Sequence, residues 1–354
     1  MTGPPLPDPP ARAPRGLPAV SPQLFRRLVI ASLAAVCLIV VTGAAVRLTG
    51  SGLGCPNWPS CTHQHLTPAL SFHPVIEFAN RMVTVLLTIV VGATVLGALR
   101  RRPYRRDLLW LAVGLLIGVL AQAGLGGLVV YTKLNPYLVM VHFLLSMAIV
   151  ADAVVLLHRS NRRYGPDSGQ ALVGRSIRLG SRGLVGLLAI VLAAGTATTG
   201  AGPHAGSSQG QVVAKRIPIA LRDMAELHSS LALLLVGLTL GLVVALHASD
   251  VPERVRRAGR ILMAVLIGQA AIGYTQYFTH LPAAVVEIHV LGATALVVGI
   301  VQFFLALTHH PIDTFDAARR SSDRVTTSVE RLGAGSLVAS SAGAFQGTED
   351  APIV

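Results

Sequence analysis

The sequence predicts an all-α polytopic membrane protein whose eight transmembrane helices form two pseudo-symmetric four-helix bundles. Three observations carry that expectation. The 354-residue chain is 52% hydrophobic and only 13% charged, against about 25% charged in soluble domains. Eight apolar runs approach or exceed the roughly 20 residues that a helix needs to cross a hydrocarbon core. The segments that close the last four runs echo those that close the first four.

Taken in order, residues 1–27 are Pro-rich and are expected to be a disordered tail. No cleavable signal peptide is evident, because the first apolar run is long and lacks a small-residue cleavage pattern after it. An N-terminal unit, 28–157, follows. Its first helix, 28–46, leads into the opening loop 47–73, which carries LTGSGLGCPNWPSCTHQH. Helices at 76–98, 108–131 and 137–157 complete the unit, with LRRRPYRRD at 99–107 between the second and third. A basic linker, 158–183, separates it from a C-terminal unit, 184–307, with helices at 184–200, 224–247, 261–278 and 284–307. The shortest of these runs is 184–200. Residues 308–354 are rich in Ser, Thr, Ala and Gly and read as a second disordered tail.

The formal charge of +13 is explained by where the arginines fall. Arg26 and Arg27 precede the first helix, and five arginines crowd into 99–107. Arg159, Arg162, Arg163, Arg175, Arg178 and Arg182 occupy the linker, and Arg254, Arg256, Arg257 and Arg260 the loop 248–260. Alternate loops are poorer, holding Arg47, Lys133, and then Lys215, Arg216 and Arg222. The positive-inside rule therefore places both termini in the cytoplasm and the opening loop outside. The lipid membrane is the partner that this charge addresses, and nucleic acid is excluded as one.

The two units repeat one another. QAGLGGLVVYTKLNPYLVMVHFLLS in the first corresponds to QAAIGYTQYFTHLPAAVVEIHVLGA in the second. Gln122 then matches Gln269, Gly124 lies one small residue out of step with Gly273, Pro136 matches Pro282, and His142 matches His289. IEFANRM against MAELHSS sets Asn80 opposite His228. Cofactor sites in helical bundles are built inside each unit from facing helices.

Ionisable residues inside membrane helices are costly and mark functional sites by default. His142, His228 and His289 lie six or seven residues beyond markers at the outer helix ends, a common depth of roughly 9–11 Å at about 1.5 Å per residue. His228 and His289 stand on the second and fourth helices of one unit, where two imidazoles can take opposite faces of a flat cofactor. Bis-histidine haem ligation fits that pair, which lacks the carboxylates of a hard-metal site. A pair of buried, hydrogen-bonded core histidines is the plainer reading; the matched depth and the repeat favour ligation. In the first unit His142 faces Asn80, a poor iron ligand, so that site is expected to be one-sided. Glu77 shares a helical face with Asn80 and suits proton handling or stabilisation of positive charge; its plainer reading is a headgroup-level partner of Arg81. His63, His65, His73, His204 and His280 belong to outer loops, and His158, His247, His309 and His310 to inner helix ends. Glu287, two residues before His289, points away from it.

Cys55 and Cys61, in CPNWPSC, lie on the oxidising side, where a disulfide persists. A structural staple and a thiol pair that exchanges electrons both remain open. Cys37 is mid-helix packing.

These residues carry a resemblance. TGAAVRLTGSGLGCPNWPSC, IEFANR, QAGLGGLVVY, the His142 and His289 segments and TTGAGPHAG are similar to the haem A synthases, bacterial and mitochondrial proteins of cytochrome oxidase assembly. The resemblance covers about residues 28–307. It implies a plasma-membrane oxidoreductase that converts the C8 methyl of its substrate, haem O, to a formyl group by successive hydroxylations. It further implies a haem b cofactor on His228 and His289, a substrate haem on His142, Glu77 as the essential acid, and Cys55 and Cys61 as the loop pair. Haem O synthase and oxidase assembly factors are the partners that this activity suggests, and a homo-oligomer is compatible with it. One departure stands out: Asn80 occupies the histidine position of the family's E-x-x-H-R, where hydrogen bonding to a water or an oxidised intermediate is the role expected of it. The competing reading is a membrane diheme b-type electron-transfer protein that leaves both haems unmodified. A transporter would instead show interrupted helices at midplane depth.

Overall fold

The computed structural model describes residues 18–62, 64–161, 172–207 and 214–307. Among them run eight α-helices: α1 Pro22–Leu48, α2 Phe72–Arg100, α3 Arg106–Tyr131, α4 Pro136–Ser160, α5 Arg175–Ala201, α6 Leu221–His247, α7 Glu253–Phe278 and α8 Ala283–Ala306. All eight are long and apolar enough to cross a membrane.

Each helix of α1–α4 packs on its chain neighbour, and α4 returns to α1, closing a four-helix ring; α5–α8 close in the same way. The rings meet through α4 against α8, α1 against α8, and α4 against α5. Exchanging α1 with α5 and α4 with α8 maps this interface onto itself, as a pseudo-twofold repeat requires. The connections repeat too. Between α3 and α4, Lys133 and Leu134 take φ of 53° and 60°; between α7 and α8, His280 and Leu281 take 64° and 62°. Two successive left-handed non-glycine residues are uncommon, so their recurrence at equivalent places identifies one turn used twice. In both, the second residue's N–H closes the turn, Leu134 onto the Val129 carbonyl at 2.8 Å and Leu281 onto Gln276 at 2.7 Å.

In lipid, helices gain little from hydrophobic association with one another and rely on close packing and buried hydrogen bonds. The structure shows both. Any side chain at Gly97 would meet Leu28, one at Gly118 would meet Ile149, and one at Gly259 would meet Val243. Between α1 and α2 the buried hydroxyls of Ser32 and Thr94 lie 2.8 Å apart. Facing outward, Leu86, Ile89, Leu233 and Ile267 are exposed, as residues that contact lipid should be.

Several boundaries differ from the sequence reading. α1 begins at Pro22, not 28, because the Ser21 side chain accepts from the Leu24 N–H at 3.2 Å and Pro22 sits in the first turn. The expected tail 1–27 thus loses its last residues to a helix that buries Phe25. α5 begins at Arg175 rather than 184: its first turns expose Arg175, Arg178 and Arg182 while burying Ile177, Ser181 and Leu184. An amphipathic entry of that kind depresses average hydropathy without ending the helix. For the same reason α7 starts at Glu253, so Arg254, Arg256, Arg257 and Arg260 are helical rather than loop residues. Arg47 is also helical, in the last turn of α1. The tails expected at 1–17 and 308–354, part of the linker at 162–171, and His63, His309 and His310 lie outside the described residues.

Candidate functional site: two unlike imidazole sites

In the second unit, α6 and α8 bring His228 and His289 together with ring centres 6.3 Å apart and planes at 79°. His228 Nδ1 lies 3.1 Å from the Val191 carbonyl of α5, which assigns the N–H to that nitrogen and leaves Nε2 with a lone pair. Metal-bound imidazoles are oriented through the second nitrogen in this way. Two imidazoles bonded at about 2 Å to opposite sides of one ion would have ring centres about 6 Å apart. Among the described residues no three His, Cys, Asp or Glu side chains gather as a metal site, so the pair by itself lacks the further ligands of a zinc centre. A donor set of two imidazoles at this separation fits haem, whose macrocycle would supply the other ligands.

Glycines seat the rings. A Cβ on Gly195 would lie 2.9 Å from His228 Cε1, and one on Gly273 would lie 3.2 Å from His289 Cε1. Gln269 Nε2 donates to the His289 carbonyl at 2.9 Å, fixing α8 against α7.

The first unit reproduces half of this. Gln122 Nε2 donates to the His142 carbonyl at 2.7 Å and to Ser146 Oγ at 2.6 Å. Gly126, four residues on as Gly273 is from Gln269, has its Cβ position 3.5 Å from His142 Cε1. The ring-facing glycine is therefore Gly126, not the out-of-step Gly124. Nδ1 of His142 and Nδ1 of His289 are both buried without a hydrogen-bond partner, a shared state that a bound group or water would relieve. The partner position differs: Asn80 Oδ1 accepts from Thr42 Oγ1 at 2.8 Å, near the turn of α1 that corresponds to the Val191 turn of α5.

Above Asn80 the first unit carries an assembly that has no counterpart among the described residues of the second. Glu77 is 5% exposed. Its Oε1 lies 2.5 Å from Arg81 Nη2, and its Oε2 accepts from the Cys55 N–H at 2.7 Å. Arg81 also donates to the carbonyls of Cys55, Asn57, Pro59 and Ser60 at 2.8–3.2 Å. One guanidinium thus gathers the whole CPNWPSC segment, using the planar fan of donors that only arginine has. Cys55 and Cys61 form a disulfide. Tyr131 donates to the Trp58 carbonyl at 2.7 Å, and the Trp58 indole fills the space over Gly127. The opening loop is in this way fastened to α2 and α3 of its own unit.

It is fastened to the other unit as well. Arg47 Nε donates to the His204 carbonyl at 2.8 Å and Nη2 to the Thr199 carbonyl at 2.9 Å. The Gly52 N–H donates to the Gly206 carbonyl at 2.9 Å. Of the histidines expected in outer loops, His73 stands instead in the first turn of α2, with Nδ1 2.9 Å from Ser51 Oγ, and His204 Nε2 lies 2.9 Å from the Leu281 carbonyl. Both tie segments together rather than standing free, while His65 is exposed. Glu287 is no surface group: both its carboxylate oxygens are buried without a partner, as is Asp152 Oδ2. Nothing in the sequence marks Thr42, Gly126 and Gly195, whose importance lies in what they touch, or the span of Arg47 between units.

The chain matches, over residues 26–301, the family model described as cytochrome oxidase assembly protein, COX15-CtaA. Among curated proteins it is similar to the haem A synthase of Geobacillus kaustophilus, 36% identical over 36% of this chain and 40% of that protein. It is 33% identical to the haem A synthase of Geobacillus thermodenitrificans over 38% of this chain and 43% of the relative. A third, the haem A synthase of Listeria welshimeri, is 32% identical over 41% of this chain and 49% of the relative. The matched stretches thus span less than half of each of these relatives. With the family match covering most of the chain and both units, the protein belongs to the COX15-CtaA family of cytochrome oxidase assembly proteins.

Proposed function

We propose that the protein is a haem A synthase, an oxidoreductase that takes haem O as substrate in its first unit and keeps a haem b cofactor in its second. One observation carries the reading: a single repeat has been built in two chemically different versions. The second unit offers two neighbouring imidazoles, His228 and His289; the place of Glu77 in the repeat falls at Ala225, and its own buried carboxylate, Glu287, stands on α8 with no arginine or loop partner. The first offers one imidazole, His142, beneath a buried carboxylate and a stapled loop. A protein that only passed electrons between two haems would have no use for that asymmetry, which sets the diheme electron-transfer reading behind.

Converting a methyl to a formyl group with water as oxygen donor releases four electrons and four protons in all. Haem between His228 and His289 supplies one-electron chemistry. The residues of the first unit handle position, charge and protons. His142, locked through its own carbonyl by Gln122, orients the substrate from one side. Glu77 has two of its roughly four lone-pair sites occupied by Arg81 and the Cys55 N–H. The others remain to stabilise positive charge at the reacting carbon or to take a proton from the water that adds. Arg81 holds the carboxylate in place beneath the loop. The loop caps the unit and limits entry of bulk water. The arginine-rich ends of the helices, by the positive-inside rule, belong in the cytoplasm of a plasma-membrane protein, with the disulfide loop outside. Haem O synthase and oxidase assembly factors are natural neighbours for such an enzyme.

The test is the identity of haem extracted from membranes that supply haem O, with and without the protein, separated by chromatography and identified by mass. Haem A or its hydroxylated precursor should appear only with the protein. Unchanged haem O in the presence of a working electron acceptor would leave electron transfer as the better account.

A further inference from the structure

We propose that the first unit holds its haem through His142 alone, and that Asn80, pinned by Thr42, faces the opposite side of that haem as a hydrogen-bond donor and not as a ligand. The first-unit iron is then open to a small exogenous ligand, whereas the iron between His228 and His289 is closed. The inference rests on the haem reading above and concerns what distinguishes this chain's two sites.

The repeat supplies the placement. Gln122, Gly126 and His142 stand at the same spacings as Gln269, Gly273 and His289, and they make the same contacts: glutamine to histidine carbonyl, glycine against Cε1. Asn80 and His228 occupy equivalent positions on α2 and α6, and each reaches the first helix of its own unit, Asn80 at Thr42 and His228 at Val191. Asn80 therefore stands across from His142 as His228 stands across from His289. The chemistry differs at the free end. Contact through Nδ1 leaves His228 an Nε2 lone pair. For Asn80 it is the oxygen that is engaged: Thr42 has one hydroxyl proton, and the Asn80 oxygen at 2.8 Å is a nearer acceptor than the Ile39 carbonyl at 3.4 Å. What remains is the amide NH₂, which has two donors and no lone pair free to bind a metal, beside an oxygen turned toward Thr42 whose second lone pair is a weak neutral donor to iron. The Glu77 and loop groups described above it already have partners. Glu77 is held by Arg81 and Cys55, and the loop sulfurs are in a disulfide.

The full-length protein is loaded with an excess of haem b, the haem is counted per chain, and EPR and reduced-plus-CO spectra are recorded. Two haems per chain are expected, one high-spin and one low-spin, with one CO bound per chain. Asn80→His should convert the high-spin haem to low-spin and reduce CO binding at least tenfold without losing haem. Asn80→Leu should keep CO binding but raise the C–O stretching frequency, because a donor near the bound ligand is gone; Thr42→Val should shift it too, by releasing the amide. His142→Ala should remove the CO-reactive haem alone. Two low-spin haems that bind no CO in the parent protein would overturn this inference while leaving the two-haem reading intact, as would undiminished CO binding in Asn80→His. A chain that takes up one low-spin haem only would overturn the first unit's role as a haem site, and this inference with it.

Discussion

At the scale of the residue, Glu77 and Arg81 stand one helical turn apart and share one loop between them, yet their substitutions should separate. Glu77→Gln preserves shape and removes the negative charge, while the amide oxygen can still accept from the Cys55 N–H. The loop should stay closed and, on the proposed function, formation of haem A should fall by more than tenfold, because the charge assigned to stabilising the reacting carbon is gone. The low-spin spectrum of the second unit should be unaltered; its loss would mean that Glu77 serves folding instead. Arg81→Lys is the complementary case. A single ammonium keeps the charge but cannot reach four carbonyls and a carboxylate at once, and each hydrogen bond to a charged donor that is lost costs about 1.5–3 kcal/mol. We expect a lower thermal midpoint and faster proteolysis between Cys55 and Cys61, measured in detergent with the disulfide intact. Proteolysis unchanged from the parent would show that the disulfide holds the segment alone.

At the scale of the element, the glycines that face the imidazoles decide how closely neighbouring helices approach. Gly273→Val adds its first carbon 3.2 Å from His289 Cε1, and the branched methyls must then push the ring out of its rotamer. The low-spin haem of the second unit should be lost or weakened several-fold. Gly237→Val, on α6 where a Cβ would meet nothing within 4 Å, should leave that spectrum unchanged, and haem titration followed optically distinguishes the two. Equal losses in both would point to a general intolerance of β-branched residues in these helices. Hydropathy located the eight helices of the described residues because length and apolarity are properties of composition, and the motif echo placed His142 and His289 in equivalent frames. It failed at the starts of α5 and α7, where charged faces lower the average over turns that are nonetheless helical. Seats such as Gly126 and Gly195 were illegible for another reason. A glycine in a glycine-rich membrane helix carries no mark of what it faces until the neighbouring helix is in place.

At the scale of the molecule, the two units are joined at the loop end by a relay that starts in the first and finishes under the second site. Arg47, at the end of α1, donates to the Thr199 and His204 carbonyls. His204 in turn lies 2.9 Å from the Leu281 carbonyl in the turn that launches α8, and His289 is two turns further along. The relay was hidden in the sequence because Arg47 reads there as a sparse loop charge. A hydrogen bond to a charged donor contributes about 1.5–3 kcal/mol, and removing Arg47 leaves two half-buried carbonyls without it. Arg47→Met keeps most of the side-chain length and removes the donors. We expect hydrogen exchange to quicken at residues 199–207 and 279–283 while the buried core of α5 around Leu184 and Leu188 stays protected. Haem should leave the second unit about tenfold faster, although the substitution lies in the first. Haem transfer to an acceptor globin measures that rate. An unchanged rate alongside quickened exchange would confine Arg47 to fastening the loop, and His289 would then owe its placement to Gln269 and Gly273 alone.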